Sequence, residues 1–218
     1  MALANYTDLQ QAVQNWAERA DLSIFVPDVI TLGEGWINRN VPIRQSWTDL
    51  AMTCATSSRN PTTFPTDFLE PGALFLTTFG TRTLLTPFAS GTYEVGTFNG
   101  TPRRWAINGA NIDLDVPCNQ THSFLFRYRK AWTLSVGAPT NAMLTAHPDL
   151  YLSSCLVEMY GIATEGADTD KELTKWVAKR NSIGAEIAEL HARSVAVAPL
   201  GVEDGLLGAS SYNIFTDE

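Results

Sequence analysis

The sequence predicts an α+β fold: a helical bundle from the N- and C-terminal helices, an inserted antiparallel β module, and an extended C-terminal arm. Three features lead there. Apolar residues recur at helical spacing near both ends, and the middle alternates apolar and polar residues between repeated turn signals. The last residues scatter apolar side chains among Gly and Pro with no period. The divisions fall at residues 1–43, 44–138, 139–194 and 195–218.

The first helix is expected at Thr7-Asp8-Leu9-Gln10, read as a capping box in which the Thr7 hydroxyl and Gln10 amide satisfy free N–H groups. Leu9, Val13, Trp16 and Ala20 follow at helical spacing. A second helix starts near Pro27, which suits a first turn, and presents Val29, Ile30, Gly33, Trp36 and Ile37 before Pro42 stops it. Gly33 and Gly35 weaken that helix and mark a close helix contact. In the middle, Trp47 to Thr56 reads as a strand, and residues 57–65 as a loop. Leu74-Phe75-Leu76 and Thr83-Leu84-Leu85 flank a turn at Gly80, and Asn99-Gly100 and Asn108-Gly109 are further turns. Arg104 to Ile107 is a short strand. Ile112, Leu114 and Val116 alternate with Asn111, Asp113 and Asp115, and Phe124, Phe126 and Tyr128 with Leu125, Arg127 and Arg129. The last third returns to helix. Pro148 suits a first turn, Leu152, Cys155, Leu156, Met159 and Tyr160 line one face, and a long amphipathic helix runs from about Asp170 to Arg193 with Leu173, Trp176, Val177, Ile183, Ile187 and Leu190 inward.

Composition narrows the function classes. With 44% hydrophobic residues in 218, the chain can bury a real core. Charged residues make up 17%, below the roughly 25% of ordinary soluble proteins, which fits either a surface covered by other subunits or one solvated by Thr, Ser and Asn. A net charge of −8 argues against a grip on nucleic-acid phosphates but is compatible with DNA sliding past an acidic wall. Cys54, Cys118 and Cys155 are odd in number and far apart, so buried thiols are expected rather than disulfides or a zinc site. No basic leader or membrane-length apolar run is visible, so synthesis in the cytoplasm and a soluble product are expected.

The sequence contains no GxSxG, Walker, GxGxxG or HExxH motif, and no catalytic, metal or cofactor site is expected. His122, His147 and His191 are not spaced as metal ligands. The carboxylate pair Asp67 and Glu70, with Glu158 and Glu165 from a helix, could cut a glycosidic bond, but caps and surface charges are the favoured role. Trp105, Phe124, Phe126, Tyr128 and Trp132 fit a sugar-binding face less well than a core. Arg103-Arg104 and Arg127-Tyr128-Arg129-Lys130 are the basic clusters, suited to a subunit contact or a solvated strand face. The tail residues Val197, Leu200, Leu206, Leu207, Tyr212, Ile214 and Phe215 are too apolar for a free segment. They read as an arm that docks on a partner, with packing on their own domain as the alternative.

Three motifs, in order, resemble those of tailed-bacteriophage head-to-tail adaptors of the connector or gatekeeper type. They are Glu34-Gly35-Trp36-Ile37-Asn38-Arg39, Phe64-Pro65-Thr66-Asp67-Phe68-Leu69-Glu70, and the run from Asn141 through Leu144 to Pro148-Asp149-Leu150-Tyr151-Leu152. The matched stretch runs from about residue 6 to 193 and leaves residues 91–101 and the tail uncovered. The resemblance implies a non-enzymatic virion neck protein whose signature residues include Asp67, Phe68, Leu69, Glu70, Pro148, Asp149 and Tyr151. It implies a self-assembled ring of about twelve copies beneath the portal protein, a tail tube or nozzle on the other face, genomic DNA passing without specific binding, and no membrane partner. The tail would be the portal-binding arm. A tail-associated carbohydrate-binding or cell-wall-cleaving protein is the alternative.

Overall fold

In the computed structural model of the chain, residues 3–18, 20–61, 63–88, 96–162 and 167–196 are described. The arm positions from Val197 onward, and the candidate carboxylate Glu165, lie outside the described residues.

Helix α1 (Tyr6–Ala17) begins earlier than the expected Thr7 box. Asn5 is the cap: its Oδ1 accepts from the Asp8 N–H at 3.0 Å, and Asp8 Oδ2 accepts from the Ala4 N–H at 3.2 Å. The pairing is like a capping box two residues earlier, except that Asp8 reaches the N–H before the cap and not that of Asn5 itself, and the Tyr6 N–H donates to the Pro139 carbonyl at 2.7 Å. Glu18, at φ +52°, ends the helix in a left-handed turn, so Ala20 is not on it. Leu9, Ala12 and Val13 face inward, whereas Trp16 is 56% exposed and meets Trp176 edge-on at 5.8 Å.

Helix α2 (Val26–Asn40) carries Pro27 in its first turn. Its buried residues, Val26, Val29, Ile30, Gly33, Glu34, Ile37 and Asn38, recur at three- and four-residue steps and so form one stripe. After the sheets come the short α3 (Ala142–Ala146), then α4 (Pro148–Ile162) and α5 (Ala167–Ala196). The expected single apolar face of α4 is too modest. Residues 150–157 and Met159 are all buried, because α1, α2 and α5 pack around this helix from different sides. Gly33 lets α2 approach closely: a Cβ there would sit 3.3 Å from the Cys155 nitrogen and the Ser154 carbonyl carbon. By contrast α5 is covered on one face: Trp176, Arg180, Gly184 and Ile187 are buried and Leu173, Val177 and Ile183 pack half-buried against the same core, whereas Leu190 is 51% exposed rather than inward.

Between α2 and α3 lie two sheets. The first has strand order β1-β7-β2-β3, with β1 (Trp47–Cys54), β2 (Phe68–Leu76), β3 (Thr83–Leu84) and β7 (His122–Lys130), all antiparallel. The second joins β4 (Thr86–Pro87), β5 (Arg104–Asn108) and β6 (Asn111–Leu114), with a two-residue parallel pairing of β4 to β5. Gly80 (φ +77°) and Gly109 (φ +60°) supply the positive φ of two turns at the predicted sites. The inner faces share a second core in which Phe126 is stacked on Tyr128 and meets Trp105 edge-on. Asp113, expected to point outward, is buried. The side-chain amides of Asn60 and Asn108 donate to its carboxylate and make that burial tolerable.

The helix crossing yields a paired test. Gly33→Val forces its side chain into the α4 backbone and should destabilise the fold by about 2 kcal/mol or more in urea titration. Gly35→Ala meets only the Arg39 guanidinium, at an ordinary 3.5 Å, and should stabilise by about 0.5–1 kcal/mol through helix propensity.

Candidate functional site

The three motif segments are separated in sequence by tens of residues, yet the fold brings them to one place. They converge on residues 131–134, the stretch that carries the chain out of β7 and into the bundle. Asn38 faces this stretch from α2. Its Oδ1 accepts from the Trp132 N–H at 2.8 Å and its Nδ2 donates to the Trp132 carbonyl at 3.0 Å. One amide thus satisfies both backbone groups of a residue buried in the bundle core. One residue earlier, the Ala131 N–H donates to the Asp67 carbonyl at 2.7 Å. Asn141 caps α3 by accepting from the Leu144 N–H at 2.8 Å, and its Nδ2 donates to the Tyr151 hydroxyl at 2.7 Å. An open cleft of about 260 Å³ lies over this junction, lined in part by Gln45, Asp67, Lys130 and Thr140.

Glu34, one turn before Asn38 on the same stripe, is 5% exposed. Burial pushes its carboxyl up to about 8, against which the Leu134 backbone and the Tyr151 hydroxyl offer only partial compensation. The Tyr151 hydroxyl lies 3.4 Å from Glu34 Oε1, and its own ionisation is driven upward by burial and by the neighbouring carboxyl. At neutral pH Glu34 is therefore a neutral acid.

The signature residues of the second motif are tied to β7. Asp67 Oδ1 accepts from the Tyr128 hydroxyl at 3.0 Å, and burial raises that phenol to about 12. Phe68 stacks on Phe64 at 4.0 Å. Leu69 is half-buried. Glu70 takes a two-pronged ion pair from Arg129, at 2.5 and 3.0 Å. Arg129 is itself buried whereas Glu70 is exposed, so the pair offsets the desolvation of the guanidinium. Asp67 and Glu70 are thus engaged with separate partners on one strand. Glu158 likewise pairs with Arg180 at 3.4 Å, while the Arg180 guanidinium stacks over Trp36. In the third motif, Pro148 opens α4, Asp149 Oδ1 accepts from the Leu150 N–H, and Tyr151 is in the core.

The aromatic residues considered as a sugar platform are core. Trp105, Phe124, Phe126 and Tyr128 are buried between the sheets, and Trp132 in the bundle. His122 is buried, with its ring nitrogens 2.9 Å from Asn119 Oδ1 and 3.1 Å from Thr78 Oγ1, and burial lowers its affinity for a second proton. The His147 carbonyl accepts from the Leu150 and Tyr151 N–H groups in the first turn of α4. Among the described residues no group of three His, Cys, Asp or Glu side chains is placed to hold a metal. Motif reading did not assign the clamp roles of Glu34 and Asn38. The available signal was two polar residues four apart on the apolar stripe of α2, a spacing that puts both on the buried face.

A protein-family model described as SU10 adaptor protein matches residues 4–202. Comparison with curated proteins returns no match. No helix among the described residues is long and apolar enough to cross a membrane.

Two substitutions test the junction. Asn38→Ala leaves the Trp132 N–H and carbonyl buried without partners and should cost about 2–4 kcal/mol in denaturant titration. Glu34 keeps its proton in the fold up to about 8 but releases it near 4.5 when unfolded. The unfolded chain therefore binds fewer protons across that window, and stability falls as pH rises from about 4.5 to about 8, then levels off. Glu34→Gln should flatten this part of the stability–pH profile and raise stability at pH 8 by roughly 3–5 kcal/mol. Thermal melts across pH 4–9 read both effects.

Proposed function

We infer the function from one premise: the chain belongs to the SU10 adaptor protein family, a phage head–tail adaptor family. It is a component of the virion neck, and its role is structural. Its finer role is that of a ring subunit, about twelve copies closing by rotation beneath the portal protein, with tail tube or nozzle protein on the opposite face and genomic DNA passing through the lumen. Residues 197–218 form the arm that attaches the ring to the portal.

The observation that carries this reading is the family match over residues 4–202. Two properties of the chain support it. Closing a ring by rotation needs two different complementary faces on each subunit. The bundle end, with Ile24 75% exposed, and the sheet edge, with Leu84 62% exposed, offer apolar surface on different elements. A net charge of −8 favours a lumen that repels DNA phosphates over one that binds them. Asp67 and Glu70 sit in ion-pair and hydrogen-bond contacts with Arg129 and Tyr128, so no specific observation favours the cell-wall-cleaving alternative.

Electron microscopy of the chain co-expressed with its portal protein tests the assignment. Stacked rings with this protein as the lower tier are expected. A chain ending at Ala196 should keep its far-ultraviolet circular dichroism and melting transition but lose portal attachment. Attachment by the shortened chain would remove the arm from the mechanism.

A further inference from the structure

We propose that, in the free subunit, the outer face of the four-stranded sheet is the resting site of this chain's own residues 197–218.

The face carries an apolar row that no described element covers. Ala51 pairs with Leu125, Leu125 with Phe75, and Phe75 with Leu84, so one register line crosses all four strands, a span of about 14 Å. Ala51 and Leu84 are exposed, and Phe75 and Leu125 half-buried. Beside the row lies an open pocket of about 700 Å³, walled by Arg44, Trp47, Asp49, Gly72 and Arg127. Its floor is kept flat by the absence of a side chain at Gly72. A Cβ there would lie 2.6 Å from Trp47 Cζ3 and 2.8 Å from the Arg127 carbonyl, and both contacts are too short to form. An extended segment laid across such a surface buries its apolar side chains on the row and finds room for one large ring in the pocket.

The end of the described chain identifies the occupant. The Arg44 N–H lies 3.4 Å from His191 Nδ1, so the same residue that walls the pocket touches the last part of α5. From His191 the helix runs on only to Ala196, roughly 8 Å. The remaining residues, 197–218, reach up to about 70 Å when extended, far more than the crossing needs. Their chemistry matches the face. They contain Leu206, Leu207, Tyr212, Ile214 and Phe215 for the row. Their charged residues are Glu203, Asp204, Asp217 and Glu218, with no Lys or Arg. On the face, Asp49 and Arg127 pair at 2.8 Å, which holds the Asp49 carboxyl below its usual range, and Arg82 acts on Asp49 as a further positive charge. Arg44 and Arg82 then leave the surface net positive, whereas the protein as a whole is at −8. Four of those negative charges are the tail's own, and a net positive face attracts them.

The inference stands apart from portal attachment: it concerns the free subunit, and an arm that rests here and never reaches a portal would still satisfy it. The test uses the full chain. Cys54, Cys118 and Cys155 are buried, so a nitroxide reagent will react at a cysteine introduced by Ser211→Cys. In the ¹⁵N-labelled, spin-labelled protein, amide signals of residues 47–51, 73–75 and 125–127 should be lost and should return when the nitroxide is reduced. Leu84→Glu, an exposed edge position, places a negative charge at the end of the row and should restore those signals without altering the rest of the spectrum. Signal loss confined to the bundle, no loss at all, or loss that Leu84→Glu leaves untouched would overturn the proposal. A mixture of ¹⁵N-labelled chains and separate spin-labelled chains should show no loss. Loss there would place a second copy's tail on the face and would equally overturn it.

Discussion

The chain has two cores, and at the transition between them one side-chain amide matches both backbone groups of a buried residue. Asn38 accepts from the N–H of Trp132 and donates to its carbonyl, at the point where backbone leaving the central strand of one sheet is drawn into the helical core. A buried peptide unit has no water to fall back on, so its two groups must be matched by donors and acceptors fixed in place. An amide side chain offers both functions a short distance apart, which a carboxylate or an aliphatic residue cannot. Because β7 is paired on both sides and α4 is surrounded by other helices, the short stretch from Lys130 to Pro148 sets how the most buried strand is aligned with the most buried helix.

The electrostatics of this junction follow from its burial. Glu34 is retained as a neutral acid, whereas the buried guanidinium of Arg129 is matched by Glu70, which reaches it from the solvent side with two hydrogen bonds. The difference lies in the partners. A hydroxyl at 3.4 Å and one backbone group cannot offset the removal of a carboxylate from water, but a carboxylate directly against a guanidinium can. The junction is therefore built from polar groups that carry little net charge inside, which lets an apolar bundle and an apolar sheet core meet without a charged seam.

Much of the architecture was legible because period and punctuation agreed along the chain. The α+β class, the hairpin turns at Gly80 and Gly109, the Gly33 contact and the inward aromatic series of β7 were all readable. What was not readable depended on neighbours distant in sequence. The first cap is Asn5 and not Thr7, and the first turn it opens is tied by Tyr6 to the carbonyl of Pro139. Asp113 turned inward because Asn60 and Asn108 meet it there. Burial on nearly all sides of α4 needed three other helices to be in place. At the site, the motifs were visible as strings, but their meeting on residues 131–134 was not, since periodicity records which face a residue occupies and never what stands opposite.

Helix α5 shows the mechanical side of the same design. It meets the bundle on one face, where Trp176, Arg180, Gly184 and Ile187 are buried and Leu173, Val177 and Ile183 pack half-buried beside them, while α4 is covered on nearly all sides. Beyond Ile187 that packing thins: Leu190 is exposed, and residues 188–193 bury no side chain fully. Local opening free energies in a protein span the range from near zero to the global value, and a helix end with so little buried surface sits low in that range. The last turns of α5 can thus fray while the packed length of the helix stays in place.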